Sequence, residues 1–265
     1  GDGYPVILVH GFGDKKEHWR AQVGDLSEHF KVIAFDSRGA GKSDRPNEPY
    51  TMEIYASDIN KLMDFLKIEK ANLIGHSLGG MIVQNFAIIY PELIHKIVLI
   101  ATIPGMTPPG VPNEQGVELY RKGQITSYEL KLKSPEKYFF DHINQSFSRK
   151  FVKLMKDDPK RKFHGIFSAE DLIQEKITDI STPQDINNQA NALALHNVYE
   201  KLPLIKNEVL IIAGEKDKQC PKSMNKKIHE LLPNSRFEVI KDAKHQLILE
   251  YAPEINEMIV DFLRD

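Results

Sequence analysis

The chain has 265 residues, enough for one or two domains and a sizeable core. Apolar residues make up 41% and charged residues 27%, which excludes a disordered or collagen-like chain, and a net charge of −2 gives no sign of a nucleic-acid partner or an anionic membrane surface. One cysteine, Cys220, excludes an intramolecular disulfide and argues against a cysteine-based zinc site. No apolar run approaches the roughly 20 residues of a membrane span and no signal peptide opens the chain, so a soluble, cytoplasmic enzyme is expected.

The first half alternates between two textures. Pro5–His10, Lys31–Asp36, Ala71–His76 and Ile94–Ala101 are short apolar runs, the pattern of parallel strands covered on both faces. Between them, Met52–Lys67 has apolar residues at helical spacing with Thr51 as its cap, and a second helix is expected from Ser77 towards Tyr90, stopping before Pro91. This order predicts an α/β fold with a doubly wound, mostly parallel sheet. The rhythm breaks after Ala101. Pro104, Pro108, Pro109 and Pro112 mark turns, and mostly helical, charged segments follow to about Glu200, so residues 103–200 read as an inserted helical region. Strand texture returns at Glu208–Ala213. A helix near Lys222–Leu232, a strand at Arg236–Ile240 and a helix near Pro253–Leu263 complete a core made of residues 1–102 and 201–265.

The sharpest chemical signal is Gly75-His76-Ser77-Leu78-Gly79-Gly80, a G-x-S-x-G between a buried strand and a helix. There a serine sits in a tight, strained turn at the sheet's C-terminal edge, which makes Ser77 the candidate nucleophile. A serine hydroxyl needs a base. His245 is the best placed of ten histidines, because its loop follows the last predicted strand and opens at the same edge; His76 and His10 read as structural. The base needs an acid to fix its tautomer. Asp217 follows the penultimate strand, and Asp242 is the alternative. Oxyanion donors are expected from the backbone N–H groups of Leu78 and of Phe12, in the loop His10-Gly11-Phe12-Gly13. Other patterns fall away. Gly39-Ala40-Gly41-Lys42-Ser43 lacks the glycine at 36 that a phosphate loop requires, and no H-E-x-x-H occurs. Cys220 reads as a packing residue ahead of a helix that starts at Pro221.

At these residues the chain resembles the α/β-hydrolase superfamily, over nearly its whole length. The resemblance is carried by the His10–Gly13 loop, Asp36-Ser37-Arg38-Gly39-Ala40-Gly41-Lys42-Ser43-Asp44, the serine turn, Gly214-x-x-Asp217-x-x-x-Pro221 and His245-x-x-x-x-Glu250. Within it the chain is similar to carboxylesterases, enol-lactonases of the 3-oxoadipate pathway and cofactor-free haloperoxidase-like proteins. The resemblance implies that residues 103–200 form a helical cap. It also implies that no metal or organic cofactor is required. Dehalogenases and epoxide hydrolases of this superfamily carry aspartate at the elbow, where Ser77 stands here. Two departures stand out. The family usually begins with a two-strand hairpin, whereas here Gly1-Asp2-Gly3 leads straight into the first parallel strand, so the hairpin is expected to be absent or to lie outside this sequence, which leaves Val32–Asp36 an edge. Lys244 precedes the candidate base, where an ammonium would disfavour an imidazolium.

The resulting expectation is a serine hydrolase of small carboxylic esters or lactones, with Ser77, His245 and Asp217 as its triad and a small molecule as its partner. The alternatives are a carbon–carbon bond hydrolase of dienoic diketo acids and a slow-turnover, hydrolase-type ligand receptor. Tyr138, Phe139, Phe140, Phe147, Phe151 and Phe163 are the candidates for walling the acyl pocket.

Overall fold

Runs of Val, Ile and Leu become the inner strands of a parallel sheet because helices cover both of their faces. The computed structural model describes residues 1–107 and 114–265. Its strands are β1 (Pro5–Val9), β2 (Lys31–Ala34), β3 (Ala71–His76), β4 (Ile94–Ile100), β5 (Glu208–Gly214) and β6 (Ser235–Ile240). Among the described residues they form one all-parallel sheet in the order β2-β1-β3-β4-β5-β6. β3 is buried throughout, and β5 is buried beyond Glu208. β2 pairs only with β1 and is half-buried, the edge expected from the sequence, and β6 closes the other margin with an exposed face.

The strand order reverses direction between β1 and β3. In such sheets the chain leaves neighbouring strands in opposite directions at that point and opens a crevice at their carboxyl ends. The register places those ends level. Val9 pairs with Gly75, Gly75 with Leu99, and Ile100 with Ile212, so the loops after β1, β3, β4 and β5 emerge together.

The helices that cover the sheet include α1 (Arg20–Ser27), α2 (Met52–Leu66) and α3 (Leu78–Ile89). The Thr51 hydroxyl caps α2 by accepting the Ile54 N–H at 3.2 Å. Between β4 and β5 lie α4 (Glu114–Lys133), α5 (Pro135–Ser146), α6 (Arg149–Asp157), α7 (Ala169–Ile177) and α8 (Pro183–Leu195). Ser168 with Asp171, and Thr182 with Asp185, form reciprocal capping boxes that start α7 and α8. Of the expected proline turns, Pro108, Pro109 and Pro112 lie outside the described residues. The chain enters and leaves this insertion side by side: Gly105 bridges Asn197, and the Val198 N–H donates to the Pro104 carbonyl at 2.8 Å. His196 ties the same junction to the core. Its Nε2–H donates to the Ile103 carbonyl at 3.2 Å, and its Nδ1 accepts from Asn85 on α3 at 3.1 Å. After β5 come α9 (Lys222–Leu231), α10 (Leu247–Glu250) and α11 (Ala252–Arg264). Among the described residues no helix is long and apolar enough to cross a membrane.

Candidate active site

β3 ends at His76 and the chain turns at once into α3. Ser77 occupies the turn at φ 54° and ψ −119°, a backbone strain of about 1–3 kcal/mol for a residue with a side chain. Its neighbours hold it there. The Ser77 N–H donates to the Ile100 carbonyl at 2.9 Å, and its carbonyl accepts from the Thr102 hydroxyl at 2.8 Å and the Gly80 N–H at 2.9 Å. The flanking glycines are sterically necessary. A β-carbon on Gly79 would stand 2.0 Å from the Val9 carbonyl oxygen, and one on Gly75 would stand 2.4 Å from the Gly79 oxygen.

Ser77 Oγ lies 3.0 Å from His245 Nε2, and His245 Nδ1 lies 2.8 Å from Asp217 Oδ2. All three side chains are buried. The second Asp217 oxygen accepts from the N–H groups of Gln219 at 2.8 Å and Cys220 at 3.0 Å, so the loop after β5 orients its own carboxylate. An ionised carboxylate only accepts, so Nδ1 of His245 carries the proton and Nε2 offers its lone pair to the serine hydroxyl. The alternative acid, Asp242, is exposed and pairs with the Lys216 ammonium instead. The Lys244 ammonium donates to the Asn144 carbonyl on α5, which fixes it on the insertion. Among the described residues, neither the Phe12 nor the Leu78 N–H is taken up by a hydrogen bond, and Leu78 stands at the first turn of α3, where the helix dipole favours negative charge. Burial, and then the Asp217 charge, push the Cys220 thiol up, so it stays protonated against the Ser77 side chain.

Ser77 and His245 open into a cavity of about 520 Å³, with apolar walls from Met81, Ile103, Phe139, Phe147 and Leu193. Of the six aromatic residues expected to line it, Tyr138, Phe139 and Phe147 do so. Phe140, Phe151 and Phe163 do not. Phe151 packs its ring on Phe147 and on Phe163, at centroid distances of 5.4 and 4.2 Å, as part of the hydrophobic interior of the insertion.

One wall of the cavity is polar, and sequence reasoning missed it: Asp14, His18, Glu175 and Lys176. His18 is buried with Trp19 by a single 3₁₀ turn, Lys16–Trp19, and no spacing in the chain marks it as a site residue. His18 Nε2 meets His76 Nδ1 at 3.0 Å, and His76 Nε2 meets the His245 carbonyl at 2.9 Å. His10 is committed elsewhere, donating from Nδ1 to the Gly11 carbonyl at 2.9 Å and accepting the Ser37 N–H at Nε2 at 3.0 Å.

The chain is similar to several known proteins over nearly its whole length. Epoxide hydrolase 4 of Mus musculus is 27% identical over 98% of this chain and 73% of its own length. A thermophilic esterase from Thermogutta terrifontis is 25% identical, with a TM-score of 0.82 over 100% of this chain and 90% of that one. The enol-lactonase of Burkholderia xenovorans LB400 has a TM-score of 0.81 at 23% identity, over 100% of this chain and 93% of that one, and so shares the fold. The profile of one family, described as the alpha/beta hydrolase fold, runs from residue 4 to residue 252, taking in β1 through α10 and every residue of the serine–histidine–aspartate line. A sheet with this strand order, a strained serine turn after its third strand and a sequence match across that span have one common explanation: the chain belongs to the alpha/beta hydrolase family.

Proposed function

We propose that the protein hydrolyses small carboxylic esters or lactones through an acyl-enzyme on Ser77. The reading rests on one observation, the continuous contact from Ser77 Oγ through His245 to Asp217 at 3.0 and 2.8 Å. The serine hydroxyl attacks the acyl carbon while His245 Nε2 takes its proton. Asp217 stabilises the resulting imidazolium. The oxyanion of the tetrahedral adduct is held by the N–H groups of Phe12 and Leu78. His245 then protonates the departing alcohol, and water, deprotonated by the same imidazole, releases the acid. A lactone follows the same path with the alcohol still tethered. Residues 103–200 act as a cap over a core of residues 1–102 and 201–265. Hydrolysis of esters by the Thermogutta terrifontis relative supports this reading, as does a serine, rather than a carboxylate, at the elbow.

The test is a panel of aryl esters of increasing acyl length with a set of lactones beside it. Ser77→Ala is expected to lower kcat by roughly 10⁴–10⁶ and to abolish labelling by a fluorophosphonate. Near wild-type turnover in that variant would overturn the mechanism.

A further inference from the structure

The Phe12 N–H lies in a loop that packing holds from one side only. The Gly11 carbonyl accepts from His10 Nδ1 at 2.9 Å, and across a planar trans peptide the Phe12 N–H points the opposite way. On the other side stands Gly13, in the left-handed region at φ 64°. A β-carbon built on it would meet no heavy atom of the described residues within 4 Å. Side-chain packing therefore does not fix the loop at this point. A hydrogen bond does: the Gly13 N–H donates to Gln189 Oε1 at 3.0 Å.

Gln189 is buried on α8, 176 residues further along the chain. Its carboxamide joins two loops of the core. The Gly13 N–H can only donate and the Gly39 carbonyl can only accept, so both partners dictate one orientation of the amide. The oxygen faces Gly13, and Nε2 donates to the Gly39 carbonyl at 3.3 Å. Gly39 belongs to the Asp36–Asp44 motif, which takes no part in the proton transfers. That motif braces the loop after β1: the Ser37 N–H donates to His10 Nε2 at 3.0 Å, and Asp36 Oδ1 accepts the Lys16 N–H at 2.8 Å. Gln189 adds a brace from the insertion. Along α8 it stands one turn from Asp185, which accepts from the Tyr50 hydroxyl at 3.3 Å, and one turn from Leu193 in the cavity wall. A single face of α8 thus docks on the core, anchors the loop and walls the cavity.

We propose that Gln189 is a positioning residue for the oxyanion hole. It holds the Phe12–Gly13 segment in the geometry in which the Phe12 N–H faces the developing oxyanion, so the hole is complete only while α8 is docked on the core. The proposal rests on the ester-hydrolase reading of Ser77. Gln189 does not border the cavity and touches no substrate atom. Its loss therefore leaves ground-state binding in place and weakens the tetrahedral adduct, whose oxygen carries the charge. Both half-reactions pass through such an adduct, so acylation and deacylation slow together.

The experiment measures kcat and KM for 4-methylumbelliferyl butanoate, with active sites counted by the endpoint of fluorophosphonate labelling. It also measures inhibition by an alkyl trifluoromethyl ketone, which Ser77 converts to a tetrahedral oxyanion, and by the matching methyl ketone, which stays trigonal. Gln189→Met keeps the volume and removes both hydrogen bonds. It is expected to lower kcat by about 10–100-fold, less than deleting a donor outright, and to change KM by less than about 3-fold. The trifluoromethyl ketone should weaken in parallel with kcat and the methyl ketone should not. Gln189→Glu keeps an oxygen for the Gly13 N–H and is expected to recover kcat to within about 5-fold of wild type. Tyr50→Phe removes a different bond to the same helix, leaves the loop untouched and is expected to keep the wild-type kcat. A Gln189→Met kcat within about twofold of wild type, equal weakening of both ketones, no recovery in Gln189→Glu, or an equal fall in Tyr50→Phe would each overturn the role. Should Gln189→Met not fold, Gln189→Asn, one methylene too short to reach Gly13, takes its place with the same expectations. Failure of the wild type to hydrolyse the ester or to be labelled at Ser77 would count against the hydrolase reading instead.

Discussion

At the scale of single residues, the candidate base works only in one tautomer. Asp217 selects it, because one of its oxygens is held by the backbone of Gln219 and Cys220 and the other is aimed at His245 Nδ1. Asp217→Asn is a sharp test. The amide oxygen keeps the two backbone donors, but the amide nitrogen then faces Nδ1, drives its lone pair outward and moves the ring proton to Nε2, against the serine. We expect kcat to fall by roughly 10⁴ with little change in thermal midpoint; a variant that retains a tenth of wild-type kcat would contradict the role. Ser77, His245 and Asp217 were legible in the sequence because each follows a strand run and each chemistry demands its residue type. His18, Asp14 and Lys176 were not. Their meeting depends on the loop after β1 lying against the end of β3, and on α7 folding back over that loop, which no local pattern encodes.

At the scale of elements, the inner strands were read correctly because a strand buried on both faces is a continuous apolar run. α2 was legible from its 3.6-residue spacing and its threonine cap. Within the insertion the periodicity announced helices but not which faces meet, so aromatic residues bound for its interior (Phe151 and Phe163) could not be told from those bound for the cavity. One of the ties between α8 and the core is a buried imidazole, His196, bonded to Asn85 and to the Ile103 carbonyl. His196→Phe keeps much of the volume and removes both bonds. Asn85 retains the Met81 carbonyl, and the Ile103 carbonyl retains Gln84, so neither group is orphaned and the loss should stay near 1–3 kcal/mol. Hydrogen exchange is expected to quicken along 183–195 more than along β3 and β4; uniform exchange across both would show that the imidazole is no latch.

At the scale of the whole molecule, the protein buries several neutral histidines, among them His10, His18, His76 and His196. Burial lowers His10 and His76, and it holds His18 and His196 at about 4. An unfolded chain binds protons at histidines near pH 6.5, so between about 4 and 6.5 it takes up more than the native state. The stability these residues contribute is complete above pH 6.5 and drains away as the pH falls towards 4. For His18 and His196 the loss by pH 5 is about 2 kcal/mol each. Urea midpoints at pH 7.5 and 5 should therefore differ clearly, with the acid value lower; equal midpoints would mean that these rings are not held neutral. The seam where Gly105 meets Asn197 has a different kind of consequence. A segment that departs and returns through one narrow gate is, to the rest of the chain, a closed loop, and the entropy of closing a loop grows only slowly with its length. Genetic exchange with both breakpoints inside that gate would transplant α4 through α8 in one event, together with the contacts that Lys176 and Asn144 make to Asp14 and Lys244.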